Sequence, residues 1–517
     1  MNTIQDGTGD TTKRIMCVIA VVLLLLPIEG EGWPLLYHDS QRQSFSESSA
    51  PDSLYIQSVI ELPEPIIGSC AAESGKIYIC GESSLFCIDF EGNILWKTDP
   101  PGHVLHLNIP PSLIQGKVAL GGLWSMNFFD MDTGALIESI ETLTVVASSP
   151  ATVDEYIVFG KGEGRYIRRS GYPDELLIVD STLQVQRKFK AKGNVDCSPA
   201  TYMDVLVLAT VEGYIYCINT SGNIVWDSYS EGGVLTSPTI WWGRAFILSD
   251  NLLCFDLFTG DLLWEQDIPG IQNTFYPNSH LSAGYGRGYI NTVDGIVCVD
   301  FLSGSILWKR DYEEPSDISV ADEKIFFASG TEIISCNAFS GELLWSFRTE
   351  NELFPPIISD GNIIVPSKSK LLYIFGINPE EYLEKAEKYM EKKEYEKAYF
   401  SYKKAEEYTG EQLKEVDIAE EKMKDKNERV SEAFQKIEKA DRYIRNGDFG
   451  FALALYRDAY EVFESQEMDL MKNLCEERIN YINEKKTNSK FVFILVLVMG
   501  ILVCGLVVRK KLNTHRR

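Results

Sequence analysis

Short apolar runs separated by turn-forming residues make up the chain between residues 33 and 376. A run rich in branched and aromatic residues typically ends at Asp or Asn, a glycine-containing turn follows, and a second short run ends at Trp. Alternating apolar runs bounded by Gly, Asn and Asp are typical of β-hairpins. The pattern therefore predicts an all-β domain that is built from repeated hairpins.

A five-residue phrase marks the hairpins: glycine, any residue, Ile or Leu, Leu or Val, and tryptophan. Its five clear copies are Gly92–Trp96, Gly222–Trp226, Gly260–Trp264, Gly304–Trp308 and Gly341–Trp345. Degenerate copies lie at Gly134 and near Gln184. Successive copies are 37 to 50 residues apart, which suits one four-stranded blade of a propeller. We therefore predict that these glycines and tryptophans are structural repeat residues.

The repeats also predict how the ring closes. Seven copies of the phrase precede an eighth set of strands, at residues 356–375, that lacks its final strand. The segment Leu54–Leu62 alternates suitably and comes just before the first complete unit. Pairing of this segment with the last blade would remove the exposed edge of an open array. The sequence thus predicts an eight-bladed propeller, with seven blades as the alternative.

Helical composition begins at Pro379, where Glu, Lys, Ala and Tyr dominate. A second repeat lies here, with two copies 54 residues apart whose small and aromatic positions correspond: Ala386, Tyr389, Tyr395, Ala398, Tyr402 and Ala405 with Ala440, Tyr443, Phe449, Ala452, Tyr456 and Ala459. These offsets resemble tetratricopeptide repeats. A peptide-binding module and a helical stalk are the alternatives. We favour a stalk, because small and aromatic residues at helical spacing usually just pack.

Two apolar segments predict the cellular location. Residues 15–26 follow Lys13 and Arg14 and precede small residues, which is the order of a secretory signal peptide. Residues 491–508 form an uncharged run of 18 residues, long enough for one membrane helix. The basic tail of residues 509–517 favours the cytoplasm. We expect a single-pass protein of the cell membrane whose N-terminal part lies outside and whose short tail lies in the cytoplasm.

Net charge limits the partners. With a formal charge of −26 and a pI of about 4.7, the chain lacks the basic composition that phosphate contacts require, which argues against nucleic acid. We expect a protein or a cell-envelope polymer as partner on the outer side, and the lipid bilayer through the C-terminal helix.

Cysteines and histidines give no clear catalytic or metal site. Nine of the eleven cysteines lie between the two apolar segments, and those at one repeat position, such as Cys87 and Cys217, are expected to be buried and free. His103 and His106 form a His-x-x-His pair without a third ligand nearby in the sequence. No nucleophile-elbow phrase is present in the sequence. We therefore predict no catalytic residue, no metal ligand and no cofactor.

The opening residues Trp33–Asp39 (WPLLYHD) and the Gly-to-Trp phrases resemble those of the pyrroloquinoline-quinone-like propellers. That family includes quinoprotein dehydrogenases and the propeller lipoprotein of the barrel-assembly machine. The resemblance covers residues 33–376 and implies the fold, whereas it leaves function open because one fold hosts enzymes and scaffolds alike. By the same resemblance, an active quinoprotein would have adjacent cysteines against its cofactor, and the sequence has no Cys-Cys dipeptide.

Two irregular segments are candidates for recognition. The third unit contains an insertion at residues 160–174 with Arg165, Arg168 and Arg169, in an otherwise acidic chain. Long insertions on a rigid scaffold often carry binding residues, and an exposed hairpin extension is an equal alternative. Trp241 and Trp242 replace the usual polar turn of the fifth blade. They are a second candidate contact, with a core role as the alternative.

The sequence thus divides into a signal peptide (1–32), a propeller (33–376), a tetratricopeptide-like helical region (377–486), a transmembrane helix (487–508) and a basic tail (509–517). We expect a non-enzymatic, membrane-anchored cell-surface scaffold that binds a protein or an envelope polymer. The alternatives are a quinone- or metal-dependent oxidoreductase that uses the propeller funnel, and a one-pass sensor that signals through a membrane partner.

Overall fold

The computed structural model describes residues 32–483, apart from 102–109, 163–173, 235, 272–279, 410–411, 427, 446–448, 466–467, 469–470, 473–474, 477 and 480–481. The chain divides into two compact units, the first ending at Ile377 and the second beginning at Asn378. The described elements of the first unit are strands, and those of the second unit are helices.

The first unit contains eight sheets, which are the blades of a propeller, and the strands of each blade are called A to D from the channel to the rim. Blades 1 to 4 contain β3 (Ile66–Glu73), β4 (Lys76–Gly81), β5 (Leu85–Asp89) and β6 (Ile94–Thr98); β7 (Ser112–Ile114), β8 (Lys117–Gly121), β9 (Ser125–Asp130) and β10 (Leu136–Glu141); β11 (Ala151–Val153), β12 (Tyr156–Lys161), β13 (Glu175–Val179) and β14 (Val185–Lys190); and β15 (Ala200–Tyr202), β16 (Val205–Ala209), β17 (Tyr214–Asn219) and β18 (Ile224–Tyr229).

Blades 5 to 7 contain β19 (Thr239–Trp241), β20 (Arg244–Leu248), β21 (Leu252–Asp256) and β22 (Leu262–Gln266); β23 (Leu281–Gly284), β24 (Arg287–Thr292), β25 (Gly295–Asp300) and β26 (Ile306–Asp311); and β27 (Ser319–Ala321), β28 (Lys324–Ser329), β29 (Glu332–Asn337) and β30 (Leu343–Arg348). Blade 8 contains β31 (Ile357–Ser359), β32 (Asn362–Pro366), β33 (Leu371–Phe375) and, as its strand D, β2 (Ile56–Glu61).

The ring closes through strand β2. It runs antiparallel to β33 with Val59 opposite Tyr373, so an N-terminal strand completes the blade formed by the end of the propeller sequence. The prediction of eight blades closed by the segment Leu54–Leu62 is confirmed, and the seven-bladed alternative is wrong. Closure leaves no blade without its outer strand.

Tryptophans of the repeated phrase pack against the turn glycine of the next blade. A Cβ added to the glycine would lie 2.5 to 2.9 Å from the indole in four pairs: Trp96 and Gly134, Trp226 and Gly260, Trp264 and Gly304, and Trp308 and Gly341. The φ angles of these four glycines lie between +69° and +77°. Only glycine satisfies both the contact and the left-handed backbone, which explains why the phrase begins with glycine and ends with tryptophan.

Residues Trp33–Ala50 form a strap that passes across the inner strands of all eight blades. Its contacts run in blade order, from Trp33 with Ala72, Pro34 with Leu113, Ser40 with Thr152 and Thr201, and Gln41 with Ile240, to Gln43 with Ala283, Ser44 with Val320 and Ser48 with Gly361. Its strand β1 (Phe45–Ser46) pairs in parallel with β27 of blade 7. The strap therefore links the blades at the channel, while β2 links the first and last blades at the rim.

The second unit contains the helices α1 (Pro379–Glu391), α2 (Tyr395–Thr409), α3 (Lys414–Lys426), α4 (Glu428–Arg445) and α5 (Phe449–Ser465). Asn378 caps α1 by accepting a hydrogen bond from the Glu380 N–H, and Pro379 follows in the first turn. The alanines shared by the two sequence copies are fully buried: Ala386, Ala398, Ala405, Ala440, Ala452 and Ala459. Small residues thus let α1 approach α2, and α4 approach α5, while α3 lies in the stretch between the copies.

The membrane-spanning segment of the sequence prediction has no counterpart among the described residues. Within residues 32–483 and their stated gaps, no helix is both long enough and apolar enough to cross a membrane. The predicted transmembrane helix (487–508) and basic tail (509–517) lie outside the described residues, as does the predicted signal peptide apart from Gly32.

Candidate interaction surface

The A–B and C–D turns of the blades lie on one side of the propeller, called the turn face. Within a blade these turns are joined by backbone hydrogen bonds, for example from the Leu257 N–H to Gly243 O and from the Phe301 N–H to Gly286 O. The C–D turns begin at Asp or Asn; the Asp256 carboxylate, for example, accepts hydrogen bonds from two backbone N–H groups of its turn. The turn face therefore has a well-fixed backbone.

An aromatic sector covers the turn face on blades 4 to 7. Its exposed apolar residues are Met203 and Trp242 in A–B turns, and Phe258, Leu302 and Phe339 in C–D turns. Trp242 is 83% exposed, Leu302 71% and Met203 66%. Clustered apolar side chains with this exposure mark interaction sites on folded domains.

The aromatic sector is continuous from blade to blade. Ring contacts join neighbouring blades, with centroid distances of 6.4 Å for Tyr202 and Phe258, 6.1 Å for Trp241 and Phe301, and 5.4 Å for Tyr285 and Phe339. Trp242 stacks on Trp241 with centroids 6.1 Å apart. Phe45 of the strap lies behind this layer, 6.3 Å from Trp241. The exposed side chains thus stand on a packed aromatic base.

The other four blades have polar turns at the same positions. Their A–B turns are Ser74-Gly75, Gln115-Gly116, Asp154-Glu155 and Asp360-Gly361, and their C–D turns include Glu91, Asp132 and Thr182. Paired apolar residues on strand D, such as Ile94 and Leu95, are also exposed, but they recur on most blades as part of the repeated phrase. The aromatic sector therefore is not a property of the repeat.

Two sector residues, and Tyr285 beneath the sector, have a left-handed backbone. Met203, Trp242 and Tyr285 adopt φ angles of 51°, 47° and 55° at the first central position of their A–B turns. This left-handed conformation suits Gly, Asn and Asp, and costs other residues roughly 1–2 kcal/mol. Met203 and Trp242 are exposed as well, so their large apolar side chains reduce stability without gaining burial, which favours a role in binding.

Two arginines border the aromatic sector. Arg244 donates from Nη1 to Phe301 O at 2.8 Å, and Arg287 donates from Nη1 to Phe339 O at 2.8 Å. The Arg287 guanidinium also lies 4.9 Å from the centre of the Phe339 ring. Each arginine holds the C–D turn of the next blade. Tryptophan, tyrosine and arginine are the residue types that dominate binding hot spots.

Of the two candidate recognition segments, the described residues include in full only the one with Trp241 and Trp242. Trp241 is half-buried against Phe301, whereas Trp242 is exposed on the aromatic sector. The candidate loop residues Arg165, Arg168 and Arg169, together with His103 and His106, lie outside the described residues. Sequence reasoning missed Met203, Phe258 and Leu302. A signal was available, because each is apolar at a turn position that is polar in other copies.

A polar cluster lies where the strap enters the channel. The Tyr37 ring stacks on His280 with centroids 3.4 Å apart, and the Tyr37 hydroxyl lies near the Asp317 carboxyl group. Arg42 is fully buried, and its guanidinium donates to the backbone oxygens of Leu36, Ser149, Pro150 and Pro199 at 2.8 to 3.1 Å. These contacts tie the strap to blades 3, 4, 6 and 7.

Burial shifts the titration of this cluster. Desolvation raises the pKa of Asp317 to about 7. Desolvation, aided by the nearby Arg42 charge, lowers the pKa of His280 to about 3. Neither ring nitrogen of His280 has a hydrogen-bond partner in the described part of the chain. The imidazole is therefore neutral at physiological pH, and the carboxyl group titrates near neutrality.

The channel cluster does not fit an anionic quinone. The Arg42 donors are directed at backbone oxygens, and the Asp317 carboxylate would repel a ligand carboxylate. The nine cysteines of the described residues are buried and form no disulfide, and burial raises the pKa of Cys87 to about 11, so its thiol is a poor nucleophile. Within the described ranges, no three His, Cys, Asp or Glu side chains are grouped to hold a metal ion.

Comparison with known proteins supports the fold. The chain matches a family model over residues 182–310 and 293–378, and that family is described as outer membrane protein assembly factor BamB. The matched residues run from the end of blade 3 through blade 8. No curated protein sequence matches the chain.

Solved structures share the propeller. BamB from Moraxella catarrhalis is 13% identical, with a TM-score of 0.51, covering 63% of this chain and 98% of that one. Quinohemoprotein alcohol dehydrogenase from Comamonas testosteroni is 12% identical, with a TM-score of 0.56, covering 67% and 80%. The computationally designed Ika8 protein is 13% identical, with a TM-score of 0.53, covering 63% and 100%. At such identities the likeness shows the fold alone, and the fold does not choose between scaffold and enzyme.

Proposed function

We propose that this propeller, whose repeats are of the pyrroloquinoline-quinone-like type, is a non-enzymatic scaffold that binds a protein through its aromatic sector. The observation that carries the proposal is Trp242, which is 83% exposed and held in a left-handed turn. A residue so placed adds little to the core and strains the backbone. Burial by a bound partner would account for such a residue.

A protein is favoured over an envelope polymer as partner. The aromatic sector mixes rings with the aliphatic side chains of Met203 and Leu302, which cannot hydrogen-bond with sugar hydroxyls. Apolar anchors bordered by arginine match the composition of protein-binding hot spots. The likeness of residues 182–378 to a family described as an assembly factor points the same way.

The cellular setting is part of the proposal. The secretory pattern of residues 1–32 and the uncharged run at 491–508 support a chain that is anchored in the cell membrane. The basic tail at 509–517 supports an outside propeller. Protease treatment of intact cells tests this placement: the propeller should be cleaved without lysis, and its full protection would contradict it.

Site-specific photo-crosslinking tests the binding proposal. Benzoylphenylalanine is placed at Trp242 or Leu302 in the full-length chain, and at Thr182 or Glu91 as matched exposed turn positions outside the sector. Irradiation of the producing cells should give one reproducible protein adduct from the two sector positions and none from the two controls. Equal adducts from all four positions, or none from the sector, would overturn the proposal.

A further inference from the structure

A small pocket lies among the first three helices of the second unit. It has a volume of about 330 Å³ and is lined by Glu387, Met390, Glu391, Tyr402, Glu415 and Ile418. These six residues are called the acidic pocket. Its volume lies at the small end of the range for ligand pockets, so it suits a single side chain rather than a large cofactor.

The pocket combines an apolar wall with three carboxylates. Met390 and Ile418 supply aliphatic surface, and Ile418 is 45% exposed. The nearby lysines pair with other acids: Lys385 with Glu381, Lys388 with Glu384, Lys397 with Glu394, and Lys403 with Glu406. In the described part of the chain, no ion pair neutralises Glu387, Glu391 or Glu415.

Tyr402 is a second, independent feature of this pocket. The residue is only 5% exposed, and its hydroxyl has no hydrogen-bond partner among the described residues. Desolvation raises the pKa of Tyr402, and the Glu387 and Glu415 charges raise it further, which places both carboxylates close to the phenol. The phenol and the two carboxylates line the same pocket, and together they offer polar groups to a bound donor.

We propose that the acidic pocket binds one lysine or arginine side chain of a polypeptide segment. The aliphatic stem would pack on Met390 and Ile418, as long cationic side chains do on apolar surface. The cationic head would meet the carboxylates of Glu387 and Glu415 and donate to the Tyr402 hydroxyl. The helical unit would then recognise a basic segment, in addition to any spacer role, and independently of the aromatic sector.

Methionine methyl NMR on the full-length chain tests this site. Met390 lines the acidic pocket and Met203 lies on the aromatic sector, so one sample with labelled methionine methyls reports on both surfaces. The methyl signal of Met390 is identified by its absence from the spectrum of the Met390→Leu variant. The ligands are a short glycine peptide with one central lysine, the same peptide with norleucine, and spermidine as a free cation without a peptide.

The lysine peptide should shift the Met390 signal and leave the Met203 signal unchanged. The double variant Glu387→Gln with Glu415→Gln should weaken this binding by at least about fivefold, as the loss of two partly exposed charge contacts implies. Glu384→Gln with Glu421→Gln makes the same charge change outside the pocket and should bind like the parent chain. Added salt should weaken binding as well.

Three outcomes would overturn the proposal. They are no shift of Met390 with the lysine peptide, an equal shift with the norleucine peptide, and an equal loss of binding in the control double variant. A shift of the Met390 signal with spermidine but with neither peptide would contradict the proposal that the bound cation belongs to a polypeptide. None of these results bears on crosslinking from Trp242, so failure here is distinct from failure of the scaffold proposal.

Discussion

Blades 4 to 7 and blades 2 and 3 have the same strand order but are joined to their neighbours differently. In the former, strand D carries a tryptophan, and three of the four indoles contact the turn glycine of the next blade. In blades 2 and 3, Glu138 and Arg187 occupy the corresponding register position, opposite Phe128 and Ile178. The ring therefore tolerates the loss of tryptophan at these joints, as it does where β2 of blade 8 meets blade 1 through Ile60.

The comparison extends to the turn face. Blades 4 to 7 also carry the aromatic sector, whereas blades 2 and 3 present polar turns, as does blade 1 despite its tryptophan joint. A binding surface gains affinity when its side chains are held on a rigid base. We infer that blades 4 to 7 are the platform, and that blades 2 and 3 are free of this constraint.

Truncation at the joint position should have the largest effect on stability. Trp226 is buried and donates from Nε1 to Leu257 O at 2.7 Å, so Trp226→Ala should lower the free energy of unfolding by about 3–5 kcal/mol. Arg187 is partly exposed, and Arg187→Ala should cost about 1 kcal/mol. Urea unfolding followed by tryptophan fluorescence reports on the propeller, because all nine tryptophans lie in it. An equal loss of unfolding free energy in the two variants would contradict the difference between the two kinds of joint.

A matched pair of glycines tests the contribution of the indole contact to the joints between blades. Gly260 and Gly222 have φ angles of 77° and 80°. A Cβ at Gly260 would lie 2.5 Å from Trp226 Cγ, whereas one at Gly222 has no described atom within 4 Å. Gly260→Ala should therefore cost about 2–4 kcal/mol, from backbone strain plus overpacking, and Gly222→Ala about 1 kcal/mol from strain alone. Similar costs in the same urea experiment would show that the indole contact is unimportant.

A smaller, pH-dependent effect is expected at the strap. Because the pKa of Asp317 is raised to about 7 in the folded chain, the folded state binds more protons than the unfolded state between pH 4 and 7. The free energy of unfolding should therefore fall as pH rises through this window. Asp317→Asn removes the ionisation, so the free energy of unfolding of the variant should rise relative to that of the parent chain between pH 4 and pH 8.

The difference between variant and parent isolates Asp317 from His280. The pKa of His280 is lowered to about 3, which gives the opposite slope, with stability rising as pH rises from 3 to 6.5. His280 is present in both chains, so its contribution cancels. A variant-to-parent difference that is constant from pH 4 to 8 would contradict burial of the Asp317 carboxyl group.

The fold could be predicted from sequence where residues repeat. The Gly-to-Trp phrase gave the blades, and the alternation of Leu54–Leu62 gave the closing strand β2, because each pattern is local. The strap could not be predicted, since Trp33–Ala50 has no periodicity and its partners lie up to blade 8. The Arg42 hydrogen bonds to Ser149 and Pro199 depend on contacts that only the closed ring creates.

The candidate surface could be predicted in part. Trp241 and Trp242 stood out because two tryptophans replaced a polar turn, but sequence alone did not show which one is exposed. Phe258 and Leu302 follow Asp in ordinary-looking turns, and their proximity to Trp242 depends on the joining of neighbouring blades. The acidic pocket was also hidden, because its carboxylates come from α1 and α3 in a helical region rich in glutamate.

The most direct test of the scaffold proposal is one variant, Trp242→Asn, in the full-length chain that carries benzoylphenylalanine at Leu302. Asparagine tolerates the left-handed turn better than tryptophan, so the free energy of unfolding should rise by about 1 kcal/mol, while the crosslink to the partner should be lost. Asp154→Asn, in the equivalent turn of blade 3, should change neither. A Trp242→Asn chain that is less stable but keeps its crosslink would show that Trp242 serves the fold, and would contradict the account.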